Sequence, residues 1–219
     1  MPIVYVLTNP AFPGYVKVGK TTNLEQRLRQ LDNTSIPLPF RCVYAVEVDN
    51  DVQVERLIHQ VFADRRTRRT REFFEIEAQY AIAALKLARG SDVTPKTDVA
   101  EDEEGVKALE KAEQRISKNT KRTFQDAELR EGDTLYFANN EEITAQVAKS
   151  NKVLFEGKEM SLSKSALILL HREGYTWPSV SGWRFWMFDN ETILDRAERL
   201  AREKAQEAED EEDQADMDE

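Results

Sequence analysis

A single cysteine, Cys42, stands in a chain of 219 residues. That excludes an internal disulfide and any metal site built from several thiolates, and leaves Cys42 to be read as a small core residue on a strand. No apolar run is long enough to span a membrane, and no secretory h-region is present. The expectation is a soluble, cytoplasmic chain with no membrane partner. Net positive charge is lacking as well: the formal charge is −10 at pH 7. That deficit is uneven. Residues 1–90 hold 13 Lys and Arg against 10 Asp and Glu, a net of +3, and the remaining 129 residues carry −13. A mildly basic first part is compatible with a polyanion partner, which the whole-chain value hides. The length suits one or two domains with enough chain to bury a core.

The stretch Tyr5–Lys20, YVLTNPAFPGYVKVGK, organises the first part. Val4, Val6 and Leu7 give one strand its β-branched and apolar character, and Tyr15, Val16 and Val18 a second. Asn9-Pro10 and Pro13-Gly14 mark the turn between them. Gly19 ends the second strand, and Asn23 has the side chain to cap a helix beginning at Leu24. Leu24, Leu28 and Leu31 are spaced i, i+4, i+7, one apolar stripe, with Arg27 beside it. Ile36-Pro37-Leu38-Pro39 reads as a loop and Phe40 to Val48 as a third strand. Asp51 to Phe62 reads as a helix carrying His59, with Val52, Val54, Leu57, Ile58 and Val61 expected on its buried side. Glu72 to Ile76 reads as a short strand or turn, and Ala78 to Leu87 as a closing helix. The fold expected for residues 1–89 is a three-stranded antiparallel sheet flanked by helices.

Between the long helix and Glu72 lies the most basic stretch of the chain, with Arg65, Arg66, Arg68, Arg69 and Arg71 in seven residues. Such a run is ordinarily a solvated loop. Guanidinium forks also pair well with phosphates, and contact with a nucleic-acid backbone is the sharper expectation.

Residues 90–122 are polar and acidic and read as a linker followed by a charged helix. Over residues 123–206 the pattern changes to a second, small α+β domain. Thr134–Ala138, Ile143–Ala148 and Lys152–Phe155 form an antiparallel meander. A helix capped by Ser161 or Ser163 follows and stops at Gly174, then an aromatic-rich loop with a terminal strand, and a closing helix. Trp183 and Trp186 suit a core. Trp177 is the tryptophan expected to be exposed and able to stack on a base. Residues 207–219 are nearly all acidic and read as a disordered tail.

These residues carry a family resemblance. Val4-Tyr5 with Ile3 before it, Lys17-Val18-Gly19, Lys20, Arg27 and the glutamate of Arg71-Glu72-Phe73-Phe74 follow one another in an order and spacing that resembles the GIY-YIG endonuclease superfamily. The similarity is to its phage-type branch, where lysine takes the place of the second motif tyrosine, and it covers residues 1–88. The resemblance implies a bacterial or phage DNA endonuclease, a hydrolase that cuts phosphodiester bonds with Mg²⁺ or Mn²⁺. Glu72 would be the metal ligand, Arg27 the phosphate clamp, and Tyr5 the group that orients or activates water. Lys17, Lys20 and His59 belong to the implied motif, and Tyr15, on the same face as Lys17, could replace the missing phenol. Residues 124–188 resemble a small module appended to such nucleases and to restriction–methylation proteins, which implies reading of DNA, including modified DNA. Alternatives from the altered motif are a non-catalytic DNA-binding protein on the same scaffold, or the interaction subunit of a restriction–methylation system. Cutting both strands from one small site would favour a homodimer or two nicking events.

Overall fold

The computed structural model describes residues 1–119 and 122–217. It is an α+β fold in two compact units, one of Met1–Glu113 with Gly174–Trp177, the other of Gln114–Glu173 with Pro178–Glu219.

In the first unit the elements run β1 (Ile3–Thr8), β2 (Tyr15–Thr21), α1 (Leu24–Leu31), β3 (Arg41–Glu47), α2 (Asp51–Val61), β4 (Phe73–Glu75), α3 (Ala78–Lys86), β5 (Ser91–Asp92) and α4 (Glu103–Asn119), whose residues from Gln114 belong to the second unit. The strands form one antiparallel sheet in the order β4-β2-β1-β3-β5. The three expected strands are its centre, and β4 and β5 add short edges of three and two residues. Asn9 holds the β1–β2 turn: its side-chain amide donates to the Leu38 carbonyl at 2.7 Å, and its side-chain oxygen accepts from the Ala11 N–H at 2.8 Å. Asn23 caps α1 by accepting from the Gln26 N–H at 3.1 Å, a contact worth about 1 kcal/mol.

Strand alternation sends side chains to two faces. Val4, Val6, Val16, Val18, Val46 and Phe74 face α2 and α3, where Ile58, Ala81 and Leu85 meet them. Tyr5, Leu7, Cys42 and Ala45 face the other way, onto Leu24 and Leu28 of α1 and onto Phe40. Each large apolar side chain so buried contributes about 1.5–3 kcal/mol. Cys42 is a core residue, and burial pushes its thiol well above the usual range.

Two expectations need correction here. On α2 only Ile58 is buried and Val54 half-buried, whereas Val52, Leu57 and Val61 are exposed, Val61 at 62%. At 3.6 residues per turn Val52 points away from the arc that Val54, Leu57, Ile58 and Val61 share, and of those four it is Ile58 and Val54 that pack against the sheet. The first part of the stretch read as a linker packs on the sheet. Thr94 Oγ1 accepts from the Ala45 N–H at 3.0 Å, and Asp98 takes both Nε and Nη2 of Arg41, at 2.9 and 2.6 Å. Arg41 and Asp98 are both nearly inaccessible, so the pair is a fixed structural tie rather than a surface contact.

The second unit holds β6 (Thr134–Phe137), β7 (Asn140–Ala148), β8 (Lys152–Phe155), β9 (Lys158–Met160), α5 (Leu162–Arg172), β10 (Trp186–Phe188), β11 (Glu191–Thr192) and α6 (Ile193–Met217). The expected meander β6-β7-β8 is the middle of a six-stranded antiparallel sheet, β11-β10-β6-β7-β8-β9. Ser161 caps α5 by accepting from the Lys164 N–H at 3.2 Å, and Gly174, at φ +91°, follows its end. Trp186 is fully buried and its indole N–H donates to Ser165 Oγ at 3.0 Å. Helix α6 continues to Met217, through most of the stretch expected to be a disordered tail, where Ala, Glu and Gln are strong helix formers. Asp218 and Glu219 of that tail lie outside the described residues.

Candidate active site on the first sheet

Tyr5 and Gly19 are opposite one another in the β1–β2 register. The Tyr5 ring is buried, at 1% exposure, and crosses directly over Gly19. A Cβ on Gly19 would stand 2.6 Å from the phenol oxygen, so only glycine lets the phenol reach this place. Helix α1 buries Leu24 and Leu28, which brings Arg27 to the edge of the same face. Its Nε donates to the Tyr5 hydroxyl at 3.3 Å.

Lys17 precedes Gly19 by two residues and shares its face of β2. It is 7% exposed. Its ammonium is paired with the Glu72 carboxylate and lies 5.3 Å from the centroid of the Phe73 ring. The edge strand β4 sets Glu72 there. Lys17 is opposite Phe73 in the β2–β4 register, and the Val18 N–H donates to the Glu72 carbonyl at 3.1 Å. Four of the residues read from the sequence, Tyr5, Lys17, Arg27 and Glu72, therefore converge on one face.

Burial raises the Tyr5 phenol above its ordinary value, against the pull of Arg27, so it is protonated at neutral pH. Partial burial would raise Glu72 too, but Lys17, then Arg27 and His59, hold its carboxyl below the usual range. The site at neutral pH is a neutral phenol and a carboxylate, with ammonium and guanidinium groups around them. This arrangement can clamp a phosphate and hold a water beside it.

Lys20 and His59 belong to the opposite face. Lys20 is paired with Glu55 at 3.2 Å. His59 Nε2 is 3.1 Å from the Val18 carbonyl, and the ring packs 5.0 Å from Phe74. A carbonyl only accepts, so Nε2 carries the proton in this contact. Glu55 was missed in the sequence; it precedes His59 by four residues on one helix face, and that spacing was the available signal. Tyr15 is opposite Glu75 rather than Glu72, one side-chain step along β2 from Lys17.

In the basic loop Arg65, Arg68, Arg69 and Arg71 are exposed. Arg66 is folded back: its guanidinium lies 5.6 Å from the Phe74 ring centroid, and its Nε donates to the Arg71 carbonyl at 2.5 Å. It shapes the loop that presents the other four. Trp177 corrects the expectation of an exposed, base-stacking ring. It is 4% exposed and sits under the Arg41 guanidinium at 4.6 Å, beside Tyr175 at 4.6 Å. Its large apolar surface and the cation above it favour burial over display.

No group of three or more His, Cys, Asp or Glu gathers in a metal-binding arrangement among the described residues. A tetrahedral zinc-type cage does not fit this donor set. A hard divalent ion fits only in the form where one carboxylate, that of Glu72, is completed by waters and phosphate oxygens. No helix among the described residues is long and apolar enough to cross a membrane.

No curated protein matches the chain. Residues 2–89, which hold this whole face, match the T5orf172 domain family, a domain associated with nucleases of bacteria and phages.

Proposed function

We propose that residues 2–89 form a GIY-YIG-type endonuclease domain that hydrolyses DNA phosphodiester bonds. The observation that carries this reading is the convergence of Tyr5, Lys17, Arg27 and Glu72 on one sheet face. Arg27 clamps the phosphate undergoing attack and offsets the charge that develops on it. Tyr5, fixed by Gly19 and Arg27, orients the attacking water through its hydroxyl. Lys17 is in place to neutralise oxygen charge beside Glu72. Glu72 would hold Mg²⁺ or Mn²⁺, and such an ion supplies Lewis-acid polarisation of the phosphate and a stronger nucleophile at neutral pH. His59 and Lys20, tied to Val18 and Glu55, support the strand that carries Lys17 and Gly19. Arg65, Arg68, Arg69 and Arg71 track the DNA backbone, and the second unit serves as a recognition module.

One observation favours a second reading, a DNA-binding protein without catalysis: Glu72 is already neutralised by Lys17. Supercoiled plasmid, unmodified and methylated, separates the two. Incubated with the protein and Mg²⁺ or Mn²⁺, it becomes nicked or linear on the nuclease reading, and stays intact with EDTA. Plasmid that is retarded in a gel but never cut supports the binding-only reading.

A further inference from the structure

The Lys17–Glu72 pair is unequal. The lysine side chain is 8% exposed and comes from a central strand, whereas that of Glu72 is 38% exposed. The Lys17 ammonium meets Glu72 and lies 5.3 Å from the Phe73 ring centroid, on the side of the sheet where Phe12, Phe40 and Phe73 cluster with centroids 6.1–6.4 Å apart. Among the described residues Glu72 is the sole carboxylate in ion-pair contact with Lys17. An almost buried ammonium that loses its counter-charge keeps part of its desolvation cost uncompensated, and an aromatic face replaces little of it.

We propose that Lys17 is a built-in competitor for the divalent ion at Glu72, so that the ion and a phosphodiester bind cooperatively. The inference rests on the reading of Glu72 as the metal ligand. An ion arriving alone must share the carboxylate with an ammonium or strip Lys17 of its partner. Either way two cations meet at one anion, and the ion binds weakly. A DNA phosphate beside the site restores the balance, because its oxygens give Lys17 a new acceptor as the ion takes Glu72. By linkage, the ion then raises affinity for DNA by the same factor as DNA raises affinity for the ion. The domain is thereby kept from loading metal until DNA is present.

The test is Mn²⁺ binding to the full chain without DNA, read by calorimetry and by the free-Mn²⁺ electron paramagnetic resonance signal. Wild type should bind weakly. Lys17→Met keeps the side chain's length and apolar packing and removes the charge. It should bind Mn²⁺ tighter by on the order of tenfold, the effect of one nearby cation in a partly solvated site. Lys17→Arg retains a cation and should stay near wild type. Adding a short DNA duplex should tighten Mn²⁺ binding to wild type and do so much less for Lys17→Met. If Lys17→Met is no tighter than wild type while Glu72→Gln loses Mn²⁺ binding, the competition is overturned and the ligand assignment stands. If Glu72→Gln binds Mn²⁺ as wild type does, the ligand assignment itself fails. Should Lys17→Met not fold by circular dichroism, wild type decides: Mn²⁺ affinity unchanged by DNA overturns the proposal.

Discussion

The phenol oxygen of Tyr5 occupies the space that a methyl group on Gly19 would need, 2.6 Å from the position of its Cβ. The strand pairing brings the two residues opposite each other, and the ring carbon next to that oxygen is also close, at 2.9 Å. Gly19→Ala should therefore displace the Tyr5 ring, weaken its contact with Arg27 and destabilise the domain by about 1–3 kcal/mol, the usual cost of overpacking a fixed site. Tyr5→Phe in the same chain removes the nearest atom and should recover part of that loss. Thermal melts of the two single variants and the double variant check this. Strictly additive effects would mean that the side chains do not meet as described.

Arg27 donates to the Tyr5 hydroxyl and lies half-exposed on a short helix capped by Asn23; on the nuclease reading its guanidinium faces the phosphate under attack. Arg27→Ala should lower the cleavage rate constant by about 10²–10³, the effect of removing one preorganised charge-stabilising donor, with little change in melting temperature. Single-turnover cleavage beside a thermal melt separates the chemical loss from unfolding.

The basic loop divides into four displayed arginines and one that is pinned. Arg68→Ala and Arg69→Ala should each weaken DNA binding and reduce the salt dependence of affinity by about one phosphate contact, leaving stability unchanged. Arg66→Ala should weaken binding and loosen the loop as well, since Arg66 packs on Phe74 and bonds to the Arg71 carbonyl. DNA titrations at several salt concentrations, with limited proteolysis of the loop, distinguish these two behaviours.

The folded-state value of Glu72 is depressed, so its contribution to stability has a defined sign. That contribution is present above the unfolded carboxyl value, about 4.3, and is lost as pH falls through the lower folded value. Its size is small because the side chain is more than a third exposed and the pair is screened. Acid melts of wild type should fall more steeply below about pH 4.3 than those of Glu72→Gln. Tyr5, whose value is raised, stays protonated through the neutral range, so its ionisation should leave no step in a pH–rate profile between about pH 6 and 9.

Local chemistry was the part of this fold that could be read in the sequence. Asn23 and Ser161 cap the helices they precede, Gly174 follows the end of α5, and the Leu24–Leu28 stripe lies on the sheet. Long-range pairing was the part that could not. Nothing near Lys17 announces that its ammonium meets a carboxylate 55 residues away. Nothing in the polar stretch after Gly90 announces that Asp98 closes on Arg41 or that Thr94 receives the Ala45 N–H. Trp177 misled for the same reason. A tryptophan in a Pro- and Ser-rich segment looks displayed until the guanidinium that covers it, from a strand far earlier in the chain, is in place.

The most direct test of the central claim is cleavage of supercoiled plasmid by Glu72→Gln against wild type in Mn²⁺. The substitution keeps the side chain's size and an oxygen that can accept from Lys17, and removes the charge. A nuclease built on this face predicts metal-dependent nicking by wild type and a loss of at least about a hundredfold in the variant, with DNA retardation retained. Cleavage at the wild-type rate by Glu72→Gln would contradict it, and would move the chemistry away from this face of the sheet.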